Sequence, residues 1–125
     1  MVQWDDATLR ISARNNWITW LDVLNGCALD WRTQLERDDF DRLFFLFDAV
    51  QGVRWQFEDL GWLTEGMQRE LTAFDAAIAA LTELGDAAYE DETVIRDAPE
   101  WAEVRSTAAR CLRVLPPEPW SSSAG

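Results

Sequence analysis

Polar and apolar residues alternate at every step through Thr8-Leu9-Arg10-Ile11-Ser12-Ala13-Arg14, the period-2 signature of a half-buried strand. Asn15-Asn16 follows, and Asn tolerates the positive φ that a two-residue hairpin turn requires. The next run, Trp17 to Leu24, is rich in aromatic and β-branched types and ends at Asn25-Gly26, a strong hairpin signal. A third alternating run extends from Cys27 to Leu35. The pattern predicts an α+β fold that opens with a three-stranded antiparallel β-meander, its strands over about 8–14, 17–24 and 27–35.

The two turns can be tested against each other, because each fixes a register and a one-residue slip would send every side chain to the opposite face. Asn25-Gly26 sets Leu24 opposite Cys27 and Trp20 opposite Trp31, while Asn15-Asn16 sets Ala13 opposite Ile18 and Ile11 opposite Trp20. Both registers collect Leu9, Ile11, Ala13, Ile18, Trp20, Leu24, Cys27, Leu29, Trp31 and Leu35 on one face, interrupted only by Asp22 and Thr33. The rival pattern is a helix through Leu9, Ala13, Trp17, Trp20, Leu21 and Leu24, which has to carry Asn15-Asn16 at its centre.

From residue 38 the period becomes helical. Asp38 is placed to cap a helix over about 39–60, with Phe40, Leu43, Phe44 and Phe47 on one stripe, Gly61 as its stop and Gly52 as a point where it could divide. A second helix is expected over about 65–84, opened by Thr64 and closed at Gly85. The third, over about 98–114, has Asp97 as cap with Glu100 as its box partner and turns Trp101, Val104, Ala108 and Cys111 inward. The acidic stretch Asp86 to Arg96, which holds the single Tyr, reads as a loop or short helix. Residues 116–125 read as a proline stop followed by a flexible Pro/Ser end, so that 1–115 form one domain.

Composition supports one packed core, since 48% of 125 residues are hydrophobic and eight are Trp. Cys27 and Cys111 lie in apolar segments and read as buried small hydrophobes of a reducing compartment rather than a disulfide. With no signal-peptide pattern at Met1 and no apolar run near the roughly 18 residues of a membrane span, the expectation is a cytoplasmic protein with no membrane contact. Every basic residue is Arg, so the commonest neutral-pH base, a Schiff-base amine and the preferred nitrogen metal ligand are all missing.

The net charge of −12 is unevenly distributed. Residues 1–37 carry five acids against four Arg, whereas residues 38–125 carry eighteen acids against seven Arg. Such a field repels nucleic acid and membrane surfaces and speeds encounter with a basic partner. Asp38-Asp39-Phe40-Asp41 and Glu90-Asp91-Glu92 are dense in oxygen ligands, but neither has the alternating spacing and central Gly of an EF-hand loop. No Gly-x-Ser-x-Gly elbow, Cys-His pairing or glycine-rich phosphate loop is present, so neither metal nor cofactor is expected. Asp22 is the acid to watch, because the strand registers aim it at the apolar face, where it needs an Arg partner or water at the sheet end.

Two surfaces stand out as candidates for binding. The solvent face of the meander carries Arg10, Arg14, Trp17, Thr19, Leu21 and Arg32, and Trp and Arg dominate binding hot spots. The acidic helices carry Asp38, Asp39, Asp41, Asp86, Glu90, Asp91 and Glu92. Small size, a strong negative field and missing catalytic residue types together point to a non-enzymatic acidic protein-binding module. Its most concrete form is an inhibitor of a basic partner, such as an immunity protein or antitoxin. The alternatives are an acidic chaperone or adaptor for a secreted or assembled protein, working through the sheet edges or the Trp17 face, and a small enzyme using carboxylates and Arg. Open edge strands at Leu9 and Leu29 also allow a homodimer.

Overall fold

A computed structural model of the protein describes residues 5–121, and every regular element among them is a helix. The order is α1 (Asp6–Ala28), α2 (Trp31–Arg37), α3 (Phe40–Gln51), α4 (Trp55–Asp59), α5 (Glu65–Thr82), α6 (Ala87–Glu90), α7 (Glu92–Asp97) and α8 (Pro99–Val114). α8 packs on α5 and α1, α1 also crosses α3 and touches α4, and α2 leans on α7. No helix among the described residues is long and apolar enough to cross a membrane.

The β-meander and the α+β class are therefore corrected. One helix, α1, runs through the first two expected strands and both expected turns, and the third run is divided by Leu29-Asp30 between α1 and α2. The reason lies in which period reaches the core. Ala13, Trp17, Trp20, Val23, Leu24 and Cys27, spaced by three or four, are all buried, whereas Ile11 and Ile18, assigned to the buried sheet face, are 63% and 55% exposed. Trp17, assigned to the solvent face, is buried.

The residues that imitate turns have tertiary duties inside the helix. Asn16 Nδ2 donates to Gln56 Oε1 of α4 at 2.9 Å, and Ser12 Oγ donates to the same oxygen at 3.2 Å, which satisfies an otherwise buried amide. Asn25 Nδ2 donates back to Leu21 O at 2.9 Å. Gly26 sits where α3 crosses α1, and a Cβ there would meet Leu43. The end of α1 is closed by Gln34 of α2, whose Nε2 donates to Gly26 O and Cys27 O at 3.1 Å each while its Oε1 accepts from Arg105 Nε at 3.0 Å.

Several boundaries also move. The helix expected over 39–60 ends at Gln51 and resumes at Trp55, so it divides at Gly52. Asp38 does not cap it: it adopts a left-handed backbone (φ 47°) and closes α2 with its N–H on Gln34 O at 3.0 Å. Asp97 does not cap α8 either. It ends α7 paired with Arg96, and α8 starts at Pro99, where a missing N–H costs nothing. Thr64 caps α5 as expected, accepting from Met67 N at 3.2 Å, and Gly61 and Gly85 take positive φ after α4 and α5.

The core is aromatic. Trp17 lies edge-on to Trp20, Phe57 and Trp62 with ring centroids 6.0, 5.1 and 5.8 Å away, a geometry that suits the ring quadrupole. Its Nε1 donates to Pro116 O at 2.9 Å, and Trp120 packs on Trp62. These contacts involve the described part, 116–121, of the end expected to be flexible, while 122–125 lie outside the described residues. Cys27 and Cys111 are buried and unpaired. Asp22 lies half-exposed on α1, joined to Arg42. With Leu9 inside a helix and Leu29 in a linker, the open strand edges, and the dimer argued from them, fall away.

Candidate functional site

The Arg and Trp face expected from the meander does not assemble. Trp17 is buried, Leu21 packs against the core, and Thr19 Oγ1 turns back onto Asn15 O at 3.1 Å. Arg10 and Arg14 remain on the N-terminal half of α1, Arg14 over the Trp120 ring at 5.6 Å, whereas Arg32 sits on α2 over Trp31 at 5.2 Å.

The acidic candidates behave differently. Asp38, which closes α2, Asp41, in the first turn of α3, and Glu90, from the end of α6, line one hollow of about 230 Å³ together with Phe40 and Tyr89. A second hollow of about 240 Å³, also lined by Tyr89, is bounded by Phe44, Phe47, Ile78 and Ala88 together with Asp48, Thr82, Gly85 and Asp86. The two hollows share Tyr89 and form one groove between α3 and the turn that carries α6.

Local chemistry explains how the groove is held. Trp101 Nε1 of α8 donates to Ala88 O at 2.6 Å, which pins α6 to the core. That places Tyr89 against Phe44 of α3, ring centroids 5.7 Å apart. Gly85, at φ 70°, makes the turn from α5 into α6, and Ala88 N closes it on Gly85 O at 3.0 Å. Asp86, although first in line to cap α6, instead accepts from Tyr89 Oη at 3.1 Å.

The field in the groove is negative and uncompensated. No Arg lines either hollow. Among the described residues the ion pairs are Arg37 and Arg42 with Asp39, Arg42 with Asp22, Arg54 with Asp75, Arg96 with Asp97, and Arg110 with Glu70. None involves Asp38, Asp41, Asp48, Asp86 or Glu90. Tyr89 registers that field. Its phenol is pushed above the usual value of 10.0, first by the hydrogen bond to Asp86, then by the charge of Asp86, slight desolvation, and the charges of Glu90 and Asp41.

Three of the acidic candidates have other duties. Asp39 is neutralised by Arg37 and Arg42, Asp91 caps α7 by accepting from Thr93 N at 2.9 Å, and Glu92 is exposed in the first turn of α7. Two groove residues were missed in the sequence. Asp48 stands seven positions after Asp41, hence on the same helical face, a signal that the spacing contained. Tyr89 had no such signal, because its place depends on how α6 docks.

Chemically, the groove offers five carboxylates, one phenol and an apolar wall. It presents no cation to a phosphate-bearing cofactor, and among the described residues no three or more His, Cys, Asp or Glu side chains are placed to hold a metal ion. Each hollow is smaller than the roughly 300–1,000 Å³ of ordinary small-molecule sites, a size suited to single side chains. No family model matches the chain, and neither a curated protein nor a solved structure is detectably similar to it.

Proposed function

We propose that this chain is a non-enzymatic acidic module that binds a basic protein partner in the cytoplasm through the groove around Tyr89. In its most concrete form it is an inhibitor that occupies the partner's basic working surface, in the manner of an immunity protein or antitoxin. The observation that carries this reading is the convergence of two acidic segments, distant in sequence, on one concave surface whose carboxylates form no ion pair among the described residues. Folding brings like charges together there at a cost, which a basic partner offsets. A chain without Lys or His and without an oriented nucleophile gives catalysis little to work with. The chaperone reading loses both of its grounds, since the sheet edges do not exist and Trp17 is buried.

The test compares the native chain with a variant carrying Asp38→Asn, Asp41→Asn and Glu90→Gln as affinity bait in the source cell. Recovery of a partner of positive net charge, released as ionic strength rises and lost with the variant, supports the reading. A partner retained equally by the variant, or insensitive to salt, defeats it.

A further inference from the structure

We infer that the groove reads two neighbouring side chains of one partner segment, an Arg in the hollow lined by Asp38, Asp41 and Glu90, and an apolar residue in the hollow walled by Phe44, Phe47 and Ile78. This rests on the basic-partner reading and specifies what that partner must present.

The two hollows have similar volume but opposite chemistry. In the first, carboxylates come from three elements, Asp38 at the end of α2, Asp41 in the first turn of α3 and Glu90 at the end of α6. A planar guanidinium, with donors directed to several sides, meets carboxylates on opposite walls better than a compact ammonium. Tyr89 and Phe40 line the same hollow, and aromatic rings beside a site add attraction for a cation. In the second hollow Phe44, Phe47, Ile78 and Ala88 supply apolar surface beside Asp48 and Asp86, which favours an uncharged side chain whose own neighbours are basic.

Spacing follows from the shared wall. Both hollows are lined by Tyr89 and so adjoin, which suits occupants from residues about two to four positions apart: i, i+2 on a strand or i, i+3 and i, i+4 on a helix. A segment with its basic and apolar residues far apart could fill one hollow but not both.

The experiment uses the full chain and synthetic peptides with one Arg and one Leu in a Gly-Ser background, separated by one to about six positions. Affinity is expected to peak at separations of about two to four, and replacing Leu by Gly or Arg by Gln in the best peptide should each cost about tenfold. Two exposed-site variants of the protein separate the hollows. Thr82→Phe, which fills the second one, should abolish the dependence on Leu and spare that on Arg, and Asp41→Asn should do the reverse. Affinity that follows Arg alone at every separation, or Leu dependence that survives Thr82→Phe, overturns the two-subsite inference while the basic-partner reading stands. Absence of any Arg dependence brings down both.

Discussion

Gly26 of α1 leaves no room for a side chain against Leu43 of α3: a Cβ at position 26 would lie 2.6 Å from Leu43 Cδ2. Leu43 is itself buried, so it cannot swing into solvent. Gly26→Ala gains about 1 kcal/mol of helix propensity but meets an overpacking cost of about 1–3 kcal/mol. The expected result is a net loss of about 1 kcal/mol, read from urea unfolding. Combining Gly26→Ala with Leu43→Ala should cost less than the sum of the two single losses, because the second substitution removes the clash.

Asn15 and Asn16 are neighbours with opposite roles. Asn15 is exposed in the middle of α1, so Asn15→Ala should stabilise by about 0.5 kcal/mol through helix propensity. Asn16 gives a hydrogen bond to the buried Gln56 amide, so Asn16→Ala should cost about 1 kcal/mol despite the same propensity gain. Thermal melts of the two variants should move in opposite directions. A hairpin turn would make both substitutions destabilising.

These residues show what the sequence could and could not disclose. From residue 38 onward, helical spacing, Thr64 and the glycines at 61 and 85 state the helices and their ends locally. In α1 the local signals point to strands and turns, because Asn16 and Gly26, one residue of each apparent turn, serve contacts with Gln56 and Leu43, which are distant in the chain. The helical stripe through Ala13, Trp17, Trp20 and Leu24 was visible as a rival and is the pattern that reaches the core. For the site, the acidic clusters at 38–41 and 86–90 were legible as charge. Their meeting around Tyr89 was not, since it depends on Trp101 pinning α6 to α8.

Arg54 and Asp75 tie the α3–α4 turn to α5. Arg54 Nη1 and Nη2 donate to the two carboxylate oxygens of Asp75 at 2.8 and 2.9 Å, Gln51 Nε2 adds a third bond at 2.9 Å, and the guanidinium lies over Trp20. Asp75→Ala leaves this largely enclosed cation without its counter-charge. A fully buried pair broken on one side costs about 3–5 kcal/mol; here both groups retain some water, so about 2–3 kcal/mol is expected in chemical denaturation. Replacing both residues, Arg54→Met with Asp75→Leu, should cost markedly less than the single change.

The two cysteines make folding sensitive to alkali. Burial pushes the thiols of Cys27 and Cys111 up to about 12. Nearby carboxylates add to the effect, Asp39 at Cys27 and Glu70 and Asp75 at Cys111. In the unfolded chain they ionise near the ordinary 9.0. Because the folded value is the higher one, this contribution is fully present below pH 9.0 and is lost as pH rises toward about 12. The urea midpoint should fall across that window, and a Cys27→Ala, Cys111→Ala chain should show a shallower fall. In the native protein at neutral pH neither thiol should react with an aromatic disulfide reagent, and both should react once it is unfolded.

Tyr89 is the only Tyr in the chain, so tyrosinate absorbance reads the groove with no competing signal. Its phenol lies above the ordinary value chiefly because Oη donates to Asp86, with the charges of Asp86, Glu90 and Asp41 behind it. Asp86→Ala removes the leading cause and one charge together, so the titration midpoint should move down toward 10.0. Glu90→Gln should move it in the same direction by less, because Glu90 acts through charge without a hydrogen bond. Screening separates the two causes: added salt should lower the midpoint in the native chain and have little further effect once the charges are removed. A bound basic peptide should lower it as well, by cancelling the carboxylate field. If a tightly held peptide leaves the midpoint where it was, its cation lies outside the groove.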